Sequence, residues 1–294
     1  MKTGIVVEGG GMKCAYTAGI LDALLENGIR FSYAIGVSAG AACMASFLAN
    51  QPDRNRRFFV EHVLDPQYLG FTNYRKNGNF FGLDYIYREL ANSDGGDPLD
   101  YDTMMKNPTD FFVVTTDAET ASARYFAKDD IPKDDYRVFM ASSAIPVACK
   151  PVEIDGKFYY DGGVAAPLPV RHALMDGCDR IVIVLCRPRD TVRTQQKHLM
   201  TLGLMLRKYP DIQEAERYRH KYYNDSLVYA RKLEAEGKAL IISPKEPLPV
   251  GTYTKDPAVL QSIYETALTD FADEKERLLA FMKEEQSQSD LLVK

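Results

Sequence analysis

The chain has 294 residues, enough for one large α/β domain or for one domain with a helical appendage. Its hydrophobic fraction is 46% and its charged fraction 26%, ordinary for a globular protein, and no apolar run approaches the ~20 residues that a membrane-spanning helix needs. A formal net charge of -5 argues against a nucleic-acid partner, because phosphate contacts need a basic face.

Met1-Lys2-Thr3 leads straight into Gly4-Ile5-Val6-Val7, an apolar run that reads as a core strand and is too short for a secretory leader. After Gly9-Gly10-Gly11, apolar residues from Ala15 to Leu25 recur at helical spacing and stop at Asn27-Gly28, a helix-ending signal. A second strand, Tyr33 to Ile35, runs into Gly36-Val37-Ser38-Ala39-Gly40, and small residues from Ala41 to Ser46 follow as a close-packing helix. This alternation predicts a parallel sheet with helices on both faces.

Residues 52–109 are harder to read. A helix is expected around Arg54 to Val63, irregular chain over Asn73 to Gly82, and a loop at Ser93 to Pro98. Whether this insertion covers a substrate or only connects core elements stays open.

Strands are expected at Phe111 to Thr116 and Ala123 to Ala127, and a helix at Tyr136 to Ala144. Asp155-Gly156 marks a tight hairpin between Val152–Ile154 and Lys157–Tyr160. That hairpin delivers Asp161-Gly162-Gly163, with the carboxylate expected at a sheet edge. A short helix at Val170 to Met175 and a buried strand at Arg180 to Leu185 follow.

Beyond residue 190 a long helix is expected from Asp211 to Glu236, with Ile212, Ala215, Tyr222, Tyr229 and Leu233 on its inner face. A strand-like Ala239 to Ile242 and a charged amphipathic helix near Pro257 to Lys283 complete the chain, with a polar tail from Glu284. The organisation expected is a domain over residues 1–190 and a mostly helical region over 191–294 packed on it. The five cysteines form no CxxC pair and no zinc spacing, which fits reduced packing thiols in the cytoplasm. The carboxylates at Asp94, Asp97, Asp100 and Asp102 read as loop and helix-start residues and match no calcium loop.

Three features carry chemistry. Gly36-Val37-Ser38-Ala39-Gly40 fits G-x-S-x-G, in which a serine stands on a tight strand-to-helix turn with its hydroxyl pushed outward. The flanking Gly36 and Gly40 suit a turn too close for a Cβ. A serine hydroxyl needs a base. None of His62, His172, His198 and His220 sits in a small-residue turn or at a convincing strand end, whereas Asp161 ends a strand and precedes two glycines. A carboxylate that merely caps its own turn is the competing reading of Asp161. Finally, the loop Glu8-Gly9-Gly10-Gly11-Met12-Lys13 offers free amides to an anion. It lacks the P-loop spacing and the last glycine of G-x-G-x-x-G, so an oxyanion hole is favoured over a nucleotide site. In a parallel sheet this loop and the Ser38 turn share the carboxyl ends of their strands and converge on one crevice.

Taken together, the Gly9-Gly10-Gly11-Met12-Lys13 loop, Gly-Val-Ser-Ala-Gly, Ala141-Ser142-Ser143-Ala144-Ile145-Pro146 and Asp161-Gly162-Gly163 resemble the patatin-like phospholipases over roughly residues 3 to 190, and the bacterial members most. The resemblance implies a three-layer α/β/α sandwich and a Ser38–Asp161 dyad. It implies that Gly10 and Gly11 donate to the oxyanion, that Gly9 and Met12 shape the loop, and that Lys13 steadies the loop or a lipid phosphate. Cys14 stands where the family carries the last glycine of the loop. The implied substrate is a lipid acyl ester, hydrolysed through an acyl-enzyme with no metal or cofactor.

Two alternatives remain: an α/β-hydrolase with a Ser-His-Asp triad, and a lipid-binding protein without turnover. Membrane contact through Arg217-Tyr218-Arg219-His220-Lys221-Tyr222-Tyr223, a basic and aromatic run, competes with a solvated helix whose tyrosines pack inward.

Overall fold

A computed structural model of the protein describes residues 1–195 and 206–291, with side chains to residue 283. The strands are β1 (Thr3–Val7), β2 (Tyr33–Val37), β3 (Asp110–Asp117), β4 (Ala123–Ala127), β5 (Val152–Ile154), β6 (Lys157–Asp161), β7 (Arg180–Val184) and β8 (Ala239–Ile242). Around them lie α1 (Ala15–Glu26), α2 (Ala39–Leu48), α3 (Arg54–Val60), α4 (Phe71–Asn77), α5 (Tyr101–Lys106), α6 (Arg137–Ser142), α7 (Val170–Met175), α8 (Pro210–Ala235) and α9 (Pro257–Leu291).

All eight strands join one sheet in the order β5-β6-β3-β2-β1-β7-β8, with β4 paired to β3. The centre, β3-β2-β1-β7-β8, is parallel, and β4, β5 and β6 are antiparallel additions. The parallel strands read as continuous Val, Ile and Leu because both faces are covered. Ile5, Val7, Val182 and Val184 pack with α1, α2 and α9. Their alternating neighbours Val6, Ile181, Ile183 and Leu185 pack with Ala173 of α7 and with Tyr223, Leu227 and Ala230 of α8. The result is the expected α/β/α sandwich with a mainly parallel sheet and a helical C-terminal region.

Local chemistry sets the turns. Asp155 and Gly156 take φ of 49° and 77°, the left-handed pair that a two-residue hairpin requires. α9 lies along α1, and the approach is close at Gly19. A Cβ there would stand 2.6 Å from the Tyr264 carbonyl and 2.7 Å from the Ala267 Cβ. Two reciprocal hydrogen bonds tie the helices: Tyr16 Oη donates to Asp270 Oδ2 at 3.0 Å, and Tyr264 Oη donates to Asp22 Oδ2 at 2.9 Å.

Three expectations are corrected. The stretch expected to be irregular begins with α4, a helix closed by Gly78 at φ 77°. The inner face of α8 carries Tyr223, fully buried, while Tyr222 is exposed. The last helix continues past Lys283 to Leu291. Asp161 ends β6 beyond the last β5 pair, Val152 with Tyr159, and is paired with Thr115 of β3 on one side only.

Candidate active site

Register brings the site together. Val37 of β2 pairs with Val114 of β3, and Thr115, one step on, pairs with Asp161 of β6. Val7 of β1 pairs with Gly36 of β2, which sets the glycine loop beside position 38. The Ser38 turn after β2, the loop after β1 and Asp161 at the end of β6 thus meet across the four adjacent strands β6-β3-β2-β1.

Ser38 sits at φ 56° and ψ -135° between β2 and α2. That region is unfavourable for a side chain and is held by its surroundings. Its amide donates to Ser142 Oγ at 2.8 Å, and Ser142 Oγ donates to the Val114 carbonyl at 2.6 Å. A Cβ on Gly36 would stand 2.6 Å from Ala41 Cα, and one on Gly40 would stand 2.4 Å from the Glu8 carbonyl. Only glycine fits these two positions, so the elbow is as tight as the G-x-S-x-G pattern requires.

The Ser38 hydroxyl faces the Asp161 carboxylate and favours its ionised form. Asp161 is 2% exposed, its Oδ1 accepts from the Gly163 amide at 2.7 Å, and its own amide donates to the Ala144 carbonyl at 2.9 Å. Gly162 packs on the Val114 carbonyl, which a Cβ would approach to 2.2 Å. Arg219 of α8 places Nη2 4.0 Å from Asp161 Oδ1 and donates from Nε to the Gly163 carbonyl at 2.6 Å. Burial pushes the Asp161 carboxyl above the ordinary aspartate value, and the Arg219 charge, the Ser38 hydroxyl and the Gly163 amide pull the other way.

A 3₁₀ turn over Gly11–Cys14 links the glycine loop to α1. Gly9 abuts the elbow: a Cβ on it would lie 2.8 Å from Ser38 Cβ. Gly10 packs on Cys186 Sγ, and Gly11 takes φ 56° against Thr252. Among the described residues, the amides of Gly9, Gly10 and Gly11 meet no protein acceptor. The Met12 amide points to the Thr252 carbonyl at 3.4 Å, and Lys13 Nζ donates to the Val250 carbonyl at 2.5 Å. Lys13 therefore clamps the loop to the segment before α9, and its burial lowers the ammonium pKa. Cys14 takes φ -69°, which tolerates a side chain, and its thiol is buried against the Glu8 carbonyl. The departure from glycine at this position thus leaves the loop intact.

Two cavities meet at Ser38. One, about 80 Å³, is apolar and runs under the 52–109 insertion between Met12, Phe58, Phe81, Ile86, Tyr87 and Phe139. The other, about 830 Å³, is a wider cleft with a charged wall that includes Asp161, Arg187, Arg193, Glu216, Arg219 and His220. The insertion walls the apolar cavity and is more than a surface connection.

The histidines are placed differently. His62 bonds Asp97 at 3.1 Å. His172 stacks on Tyr125 with ring centroids 3.5 Å apart. His198 lies outside the described residues, and His220 borders the cleft. Asp97 serves Arg54, Arg57 and His62. Burial raises its pKa, but those partners prevail and hold it well below the carboxylate range. Asp100 caps α5.

Sequence reasoning missed Arg219, Arg193 and Thr252, all beyond residue 190. Arg219 stood in the run read for its membrane potential, and nothing local marks it as a neighbour of Asp161. In that run Tyr223 is fully buried and Arg219 turns to the site.

Residues 5–174, more than half of the chain, match the family model of the patatin-like phospholipases. The chain belongs to that family. Residues 209–283 match a second family, described as a domain of unknown function (DUF6363). The chain is 27% identical over 200 residues to the uncharacterized protein YjjU of Escherichia coli (strain K12), a match covering 66% of this chain and 55% of that protein. It thus spans about half the length of that relative. Among solved structures it is similar to VipD from Legionella pneumophila, with TM-score 0.47 and 17% identity, covering 92% of this chain and 66% of that one.

Proposed function

We propose that the protein hydrolyses lipid acyl esters with Ser38 as nucleophile and Asp161 as its base. The observation that carries this reading is that the Ser38 hydroxyl faces the buried Asp161 carboxylate at the junction of an apolar cavity and a wider cleft. The acyl chain enters the apolar cavity and the alcohol side of the ester lies in the cleft.

Ser38 Oγ attacks the carbonyl carbon while Asp161 takes the hydroxyl proton. The oxyanion lies within reach of the free glycine-loop amides and the N-terminus of α2, and each such donor is worth about 3 kcal/mol in hydrolases of this kind. The intermediate collapses, the ester C–O bond breaks, and Asp161 returns the proton to the leaving alcohol. Water then attacks the acyl-enzyme, with Asp161 again taking a proton, and Ser38 is regenerated. The raised pKa of Asp161 makes it a better base than an exposed aspartate. Arg219 positions the carboxylate and the Gly163 carbonyl.

Turnover of long-chain acyl esters tests this. Ser38→Ala is expected to abolish it, and Asp161→Asn to lower kcat by about 10²–10⁴-fold. Parent-like turnover in either variant removes that residue from the mechanism.

A further inference from the structure

The wider cleft beside Ser38 collects three guanidinium groups, and their bookkeeping is unequal. Arg187 pairs with the buried Glu8. Arg219 spends its charge on Asp161 at 4.0 Å and Glu216 at 3.4 Å. Arg193 has no such partner: among the described residues its guanidinium makes no ion pair and instead lies 4.3 Å from the centre of the Tyr223 ring. Its backbone is fixed, with the amide donating to Asn224 Oδ1 at 2.9 Å and the carbonyl accepting from Asn224 Nδ2 at 2.9 Å. The side chain is therefore anchored and lines the same cleft as Ser38 and Asp161.

Glu8, Asp161 and Glu216 line the same cleft and offset these charges, which leaves Arg193 as the guanidinium that no carboxylate engages among the described residues. Burial and the neighbouring Arg219 charge both lower the Arg193 pKa. An anion beside Arg193 supplies the partner that it lacks, and a guanidinium suits phosphate because its planar fork matches two phosphate oxygens. The position is also right. With the acyl chain in the apolar cavity, the alcohol portion of an ester at Ser38 lies in the cleft that Arg193 also lines.

We propose that Arg193 forms an anionic-headgroup subsite that selects acyl esters whose alcohol carries a phosphate, such as lysophosphatidate, over neutral acylglycerols. This rests on the acyl-hydrolase reading for its orientation. Arg193 lies outside both family matches, which cover residues 5–174 and 209–283.

Binding tests it independently of turnover. The Ser38→Ala protein is titrated calorimetrically with lysophosphatidate, with monoacylglycerol of the same chain (both below their aggregation concentrations), and with glycerol 3-phosphate. Lysophosphatidate is expected to bind at least tenfold more tightly than either of the others. Adding Arg193→Ala is expected to cut the lysophosphatidate-to-monoacylglycerol affinity ratio at least fivefold, and Arg193→Lys to restore part of it. Retained monoacylglycerol binding shows that these variants are folded. Equal affinity for the two lipids, a ratio unchanged by Arg193→Ala, or no binding of either lipid overturns the subsite. Glycerol 3-phosphate binding as tightly as lysophosphatidate overturns the lipid assignment in favour of a free phosphate ester. Hydrolysis of a neutral long-chain p-nitrophenyl ester by the parent protein probes the dyad alone, so failure there and failure of headgroup discrimination are told apart.

Discussion

At φ 56° and ψ -135°, Ser38 occupies a conformation that glycine adopts freely and other residues adopt at a cost of about 1–3 kcal/mol. The sheet pays it: the amide is held by Ser142, and β2 and α2 fix the chain on either side. Glycine ordinarily lowers stability relative to alanine. Here the order is expected to invert, with Ser38→Gly melting above Ser38→Ala by roughly 1 kcal/mol in urea or thermal unfolding. Both variants lack the hydroxyl, so the comparison isolates backbone strain. An alanine variant that is the more stable of the two contradicts the account of the elbow.

The α1–α9 contact is where element packing is most exacting. Alanine at an exposed helix interior is favoured over glycine by about 1 kcal/mol. At Gly19 the added Cβ meets the Tyr264 carbonyl at 2.6 Å, so Gly19→Ala is expected to destabilise by about 1–3 kcal/mol, read from unfolding curves. The same contact carries a pH signature. Burial pushes Asp22 up to about 6, against the Tyr264 and Asp53 hydrogen bonds that favour its ionised form. A carboxyl whose pKa is raised on folding supplies stability below its unfolded pKa near ~3.9 and loses it as pH rises through the folded value. Between pH 4 and 7 the parent is therefore expected to lose stability relative to Asp22→Asn. A stability difference that is flat across that window shows that Asp22 does not titrate as described. Helix faces also mark a limit of periodicity. The buried positions Glu216, Tyr223 and Ala230 also recur every seven residues, one step of about 100° round the helix from Tyr222 and Tyr229, and spacing alone does not tell the two stripes apart.

On the scale of the molecule, the mouth of the cleft carries Phe71, 76% exposed, and Tyr253, 47% exposed, in an aromatic cluster with Phe80. Among the described residues no helix is long and apolar enough to cross a membrane. If lipid is met at the cleft mouth, Phe71→Ser is expected to reduce co-sedimentation with vesicles several-fold while monomeric ester turnover stays near the parent level. Unchanged co-sedimentation moves the contact elsewhere.

The parallel strands, the Asp155-Gly156 hairpin and the elbow were legible because apolar runs and glycine positions are local signals. The pairing of Ser38 with Asp161 was legible only through four short motifs taken together. Arg219, Arg193 and Thr252 were not legible, because α8 and the segment before α9 reach the site by tertiary packing that no local pattern encodes. α4 was missed because Phe71–Asn77 is rich in polar and turn-forming residues, although Gly78 after it is the signal of a helix end.

The proton-transfer pair is tested most directly by reacting the protein with a fluorophosphonate and mapping the adduct by mass spectrometry, in the parent and in Asp161→Asn. A single adduct on Ser38 is expected, forming at least about 10²-fold more slowly in the variant. An adduct elsewhere, or equal rates in the two proteins, contradicts the Ser38–Asp161 assignment.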